Sequence, residues 1–221
     1  MTTSTKEQGL YLKSNLNDLS KLGDYAPETF KSFIQFNNQA LAEGKLSVKL
    51  KELIAIAVAH VTGCAYCIDI HANDVKKAGA SKEEISEATF VATALKAGSA
   101  FAHGVNTLNA FDGSNDELYK ASYFNRIKEF SSLTGDTFSK FIDFDQQALK
   151  AGELTVKEKE LIAVAVAHVT GCPYCIDLHV KAAKKAGVSL EEISESIFVA
   201  VALKAGSAFA HSVNTFKAYE D

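Results

Sequence analysis

Apolar positions along this chain recur at helical spacing, and the strict alternation expected of strands is scarce. Pro27, a good first-turn residue, opens one expected helix that runs to Glu43, with Gly44 just past its end. Phe30, Phe33 and Phe36 within it read as core positions. A second helix is expected after Ser47. Leu50, Leu53, Ile54, Ile56 and Val58 leave it apolar nearly all round, which predicts a buried central helix ended by Gly63. A third, short helix should open at Cys64 and finish by Gly79. Ser81 with Glu84 forms a capping-box pair for a fourth that reaches about Asn109. Gly98, Ser99 and Ala100 give that helix a small-residue patch where another helix can approach closely.

The pattern then repeats. The offset is 108 residues, from Cys64 to Cys172 and from His71 to His179. The match strengthens at Phe30 and Phe138 and runs to Phe111 and Tyr219 without a gap. Thr155 with Glu158, and Ser189 with Glu192, supply capping boxes in the second copy. Two units are too few for an open solenoid. The expectation is an all-α fold of two similar domains, residues 1–112 and 113–221, packed about a pseudo-twofold axis. The turn-rich stretch Asp112-Gly113-Ser114-Asn115-Asp116 joins them.

Composition adds limits. The 221 residues include 47% apolar types, two prolines and no tryptophan, a mix that favours helix. The net charge of −4 is mild and the basic residues form no stripe, which argues against nucleic acid as a partner. No apolar run reads as a membrane span. Met1 to Glu7 is polar and lacks the apolar core of a signal peptide. The expected location is the cytoplasm, where cysteine pairs are more often catalytic or metal-binding than structural.

All four cysteines lie in two Cys-x-x-Cys pairs, Cys64/Cys67 and Cys172/Cys175. Each pair has a glutamate twelve residues before it (Glu52, Glu160) and a histidine four residues after it (His71, His179). On a helix opening at Cys64, both cysteines and His71 project within about a quarter-turn of one another. Helix N-terminal amides lower a cysteine pKa, and a neighbouring imidazole can take the thiol proton. Glu52 lies beyond its helix's first turn and borders an apolar run, so pairing with His71 is expected. A thiol redox site is the favoured chemistry. A zinc site using Cys64, Cys67, His71 and Glu52 is the rival, and an inert buried cysteine pair the third reading. His60 and His168 read as satisfied core groups, with membership of the proton relay as the alternative. His103 and His211 either line the pocket or donate to a carbonyl. Tyr66 and Tyr174, between the cysteines, either supply a phenol or shield the site. No nicotinamide or flavin fingerprint is present, and no bound cofactor is expected.

The spacing Glu, twelve residues, Cys-x-x-Cys, then His, found in both copies, resembles the AhpD-like (alkylhydroperoxidase D) branch of the carboxymuconolactone decarboxylase family. The resemblance covers nearly the whole chain as two tandem domains. It implies an all-helical fold and thiol-dependent reduction of hydroperoxides. It also implies that Cys67 and Cys175 attack the peroxide and that Cys64 and Cys172 resolve the sulfenic acid. Glu52 with His71, and Glu160 with His179, would be the proton relays. An external dithiol, thioredoxin-like or lipoyl protein, would supply electrons. The family's assemblies imply a homo-oligomer, either a ring of three tandem chains or a dimer. Two points depart from it: Tyr66 and Tyr174 stand where the family carries a relay histidine, and helix-dipole reasoning alone favours the first cysteine of each pair as the more acidic thiol. The decarboxylase branch generally lacks the cysteine pair, so a decarboxylase or isomerase with bystander thiols is the alternative enzyme.

Overall fold

The computed structural model describes Gly9 and residues 11–220, and every regular element among them is helical. The polar stretch Met1–Glu7 lies outside the described residues. A 3-10 segment, Lys13–Ser20, runs into α1 (Lys21–Tyr25). α2 (Pro27–Leu41), α3 (Val48–Thr62), α4 (Ala65–Lys77) and α5 (Lys82–Phe111) follow. The order then recurs. A 3-10 segment, Ala121–Lys128, leads into α6 (Glu129–Thr134), α7 (Asp136–Leu149), α8 (Val156–Thr170), α9 (Pro173–Lys185) and α10 (Leu190–Glu220).

The helix boundaries follow the sequence signals. Ser47 caps α3 by accepting the Leu50 N–H at 3.3 Å. Capping boxes close around Ser81 and Glu84, Thr155 and Glu158, and Ser189 and Glu192. Two of those glutamates also tie neighbouring helices together, Glu84 to Lys49 at 2.6 Å and Glu192 to Lys157 at 2.7 Å. The short helical lead-ins before α2 and α7 were not anticipated.

The core differs from two separate domain centres. α3 and α8 lie side by side, and Leu53, Ile54, Leu161 and Ile162 are fully buried in one core drawn from both repeats. The outer helices cross over: α2 packs on α10, and α7 packs on α5. Phe33 accordingly meets Phe209 at 4.9 Å, and Phe141 meets Phe101 at 5.0 Å. The small-residue patch serves this crossover, since a side-chain carbon at Gly98 would lie 3.9 Å from the Phe141 ring. An amphipathic helix needs an apolar partner, and each repeat finds it on the other.

Two reciprocal ion pairs lock the crossover. Glu195 of α10 accepts the Lys45 and Leu46 N–H groups at 2.8 and 3.0 Å and pairs with buried Lys51 at 3.0 Å. Lys51 also donates to the Ala42 carbonyl at 2.6 Å. Glu87 of α5 does the same for Glu153, Leu154 and Lys159 of the second repeat. These contacts turn the chain after α2, which therefore ends at Leu41 instead of Glu43. Burial pushes the Glu195 and Glu87 carboxyls up, but the backbone amides and lysines outweigh it and hold both below the usual range.

One sequence expectation needs correction. α10 is, by length and composition, long and apolar enough to cross a membrane. Its apolar character serves packing against α2, α3 and α8. Alanine-rich segments such as Val199-Ala200-Val201-Ala202-Leu203 suit close helix contact as well as lipid.

Candidate active site

Gly63 ends α3 in the left-handed conformation at φ 71°, and Gly171 ends α8 at φ 70°. The chain reverses there, so that Cys64 and Cys172 become the N-caps of α4 and α9. Each of these sulfurs accepts the N–H of the second cysteine at 3.2 Å. Each pair is joined as a disulfide, with Cα atoms 5.2 and 5.3 Å apart. All four cysteines are buried. The sulfurs thus sit at the positive end of a helix, the place where a thiolate is stabilised after reduction.

The reversal folds α4 back along α3. Glu52 Oε2 then meets His71 Nδ1 at 2.8 Å, and Glu160 Oε2 meets His179 Nδ1 at 2.9 Å. All four residues are buried. An ionised carboxylate only accepts, so Nδ1 carries the proton and donates it. That bond leaves Nε2 for other chemistry, and His71 and Cys67 lie one turn apart on α4. In the second repeat, Cys175 and His179 line one cavity of about 260 Å³. Leu95 and Phe101 of α5, Phe124 of the 3-10 segment, and Phe141 of α7 give it apolar walls. Each site is therefore composite: one repeat supplies cysteines and relay, and the other supplies a wall from its long helix.

The remaining candidates divide. His60 and His168 donate Nδ1–H to the Ile56 and Val164 carbonyls at 2.8 Å, within their own helices, so the relay does not use that nitrogen. His60 is exposed and not a core group. His211 lies against Tyr66 with ring centroids 6.2 Å apart. Tyr66 is anchored: its hydroxyl accepts from Asn15 at 3.0 Å and donates to Asn214 at 3.1 Å, and Lys217 donates to Asn15. Tyr174 is not anchored in this way, because Tyr123 stands where the first repeat has Asn15. The Tyr174 hydroxyl, Asn106 Oδ1 and His103 Nε2 are buried without a hydrogen bond among the described residues. Burial raises the Tyr174 phenol above its ordinary value, and neighbouring Tyr119 adds to it.

The zinc alternative requires both cysteines of a pair as thiolates, the reduced form of each pair. Among the described residues, the grouping with ligand atoms within 4.8 Å of one another is Glu52, His71 and Asp74, which includes no cysteine. Asp74 is tied to Lys77 at 2.7 Å, and the second repeat has Ala182 in its place.

Sequence reasoning missed the cavity walls and Asp145. Asp145 of α7 lines the cavity with Cys175 and His179. The available signal was the 108-residue offset, which sets Asp145 against Asn37.

An all-α chain with two Cys-x-x-Cys disulfides, each backed by a buried Glu–His pair, defines a tandem helical protein with two dithiol centres. The sequence pattern of the carboxymuconolactone decarboxylase family matches residues 27–110 and 135–218, and the chain belongs to that family. An uncharacterised cox-locus protein of Paracoccus denitrificans is 47% identical over 72 residues, covering 33% of this chain and 65% of that protein. The match thus spans just under two thirds of that relative. An uncharacterised protein of Cupriavidus necator is 27% identical over 108 residues, covering 47% of this chain and 96% of its own. A solved structure from Burkholderia xenovorans LB400, provisionally described as a gamma-carboxymuconolactone decarboxylase subunit, superposes with a TM-score of 0.69. It covers 96% of this chain and 98% of its own at 18% identity, a likeness of fold alone.

Proposed function

We propose that the protein is a thiol-dependent hydroperoxide reductase with two dithiol centres per chain. The observation that carries this reading is the buried carboxylate–imidazole pair placed one helical turn from the second cysteine of a disulfide, in both repeats. Glu52 orients His71, and Nε2 takes the proton of the Cys67 thiol. The thiolate attacks the terminal peroxide oxygen. The O–O bond breaks, Cys67 becomes a sulfenic acid, and the leaving alkoxide takes a proton. The Cys64 thiol condenses with the sulfenic acid, releasing water and forming the disulfide observed. An external dithiol, thioredoxin-like or lipoyl protein, returns two electrons through a mixed disulfide. Glu160, His179, Cys175 and Cys172 take the same parts in the second repeat.

The apolar cavity walls favour an organic hydroperoxide over hydrogen peroxide. A reducible active disulfide fits the cytoplasm, and the exposed Phe90 and Phe198 side chains fit a homo-oligomer. Replacing Cys67 and Cys175 together by serine should abolish steady-state turnover of cumene hydroperoxide with a dithiol donor. An unchanged rate would remove the scheme. Decarboxylation, the activity the family's description names, gives the cysteines no part. Activity on a lactone that survives thiol alkylation would favour it.

A further inference from the structure

The two repeats carry the same cysteines, glutamate and histidine, yet their site walls differ. Among the residues lining the cavity, the difference in charge lies at one position, Asp145 in the second repeat against Asn37 in the first; beside the Glu–His pair, the first repeat also carries Asp74 where the second has Ala182. Both side chains are half-buried. Asp145 lines the same cavity as Cys175 and His179. It has no hydrogen bond or ion pair within the protein among the described residues. A carboxyl placed in an apolar cavity without a partner costs stability, and such groups concentrate at working sites. Of the groups facing it, α9 contributes Cys175 and His179, and α8 contributes Glu160 behind His179. The walls from α5 and from the 3-10 segment bring only apolar residues to this cavity, among them Phe101, Ala102, Phe124 and Ile127.

We infer that Asp145 is the acid that protonates the departing oxygen in the second repeat, whereas the first repeat, with Asn37, must return the proton through His71. This inference rests on the hydroperoxide reductase reading and deepens it. In the second repeat, His179 takes the Cys175 proton and the thiolate attacks the hydroperoxide. Sulfur gains the hydroxyl oxygen, and the O–O electron pair leaves on the alkoxide. The neutral Asp145 carboxyl donates its proton to that alkoxide, giving the alcohol and a carboxylate; His179 releases the thiol proton to solvent, and solvent reprotonates Asp145. Cys172 then closes the disulfide with loss of water, and the external dithiol restores both thiols. Acid and base are separate groups here, whereas one imidazole serves both roles in the first repeat. Burial keeps the Asp145 carboxyl above its ordinary value, only partly offset by His179 and reinforced by Glu160, which enlarges its neutral fraction.

The test uses two full-length single-site chains, Cys64→Ser/Cys67→Ser and Cys172→Ser/Cys175→Ser, with cumene hydroperoxide and a dithiol donor across pH. The chain working through the second repeat should lose kcat/KM as pH rises, on a limb absent from the other chain. Adding Asp145→Asn should lower its kcat/KM by about 100-fold and erase that limb. Asn37→Asp in the chain working through the first repeat should raise its rate and install the limb. The pH profile separates this role from a structural one, which would shift stability without moving the limb. An Asp145→Asn chain with unchanged rate and profile, while Cys175→Ser still abolishes turnover, overturns the inference and leaves the reductase reading intact. Failure of both single-site chains to consume the hydroperoxide overturns both.

Discussion

His71 and His179 each donate Nδ1–H to a glutamate, so their chemistry depends on a partner that never needs to touch substrate. Replacing Glu52 and Glu160 by alanine should lower kcat/KM for hydroperoxide by about 100-fold, with the glutamine pair in between because it keeps an acceptor but not the charge. Equal rates for all three chains would detach the carboxylates from the relay. Asp145 has a separate signature in stability. Burial raises its carboxyl above the unfolded value, so its contribution is present below the ordinary aspartate range near about 3.9 and is lost as pH rises through the folded pKa. Asp145→Asn should therefore raise Tm more at pH 7 than at pH 3.5, and a larger gain at the lower pH would contradict this. Asp145 was illegible from the sequence because an isolated aspartate on an amphipathic helix looks like a solvated one. Only the packing of α7 against α5 and α8 turns it towards Cys175. Glu52 was legible, since a carboxylate beside a continuous apolar run must be paired or wet.

Each site is built by a helix end. Gly63 and Gly171 hold φ near 70° with open space where a side chain would begin, so only the backbone penalty opposes substitution. Gly63→Ala and Gly171→Ala should each cost about 1 kcal/mol in urea unfolding, without a change in m. A cost near zero would mean that the reversal does not need the left-handed conformation. These ends were readable because stop signals are local: Gly63, the Ser81–Glu84 box and the Cys64 cap all act within four residues. The lead-in segments were not readable, because 3-10 turns carry weak periodicity and Lys13–Ser20 buries only Asn15. The partner of α2 was equally hidden. Phe30, Phe33 and Phe36 announce an apolar face, but nothing in their spacing says that the face belongs against α10 of the other repeat.

The two repeats share one large interleaved core, with a smaller apolar cluster around each cysteine pair, and the Glu87 and Glu195 clamps are its reciprocal bolts. Both carboxyls are held below the usual range, so their stabilisation is present above the unfolded glutamate range and is lost as pH falls through the folded pKa. Glu87→Gln with Glu195→Gln should flatten the acid limb of the stability profile. The same pair should cost about 3 kcal/mol per clamp at pH 7, since Lys51 and Lys159 would stay buried without a counter-charge. An acid limb identical to wild type would show that the clamps contribute nothing. The same interleaving places each dithiol against the other repeat's long helix, which couples the fold to the chemistry. The most direct measurement of that chemistry is a single turnover on fully reduced protein, without donor, counting cumene hydroperoxide consumed against disulfides formed. The account predicts two equivalents of peroxide and two disulfides per chain, Cys64–Cys67 and Cys172–Cys175. Peroxide that persists while all four thiols stay reduced would contradict it.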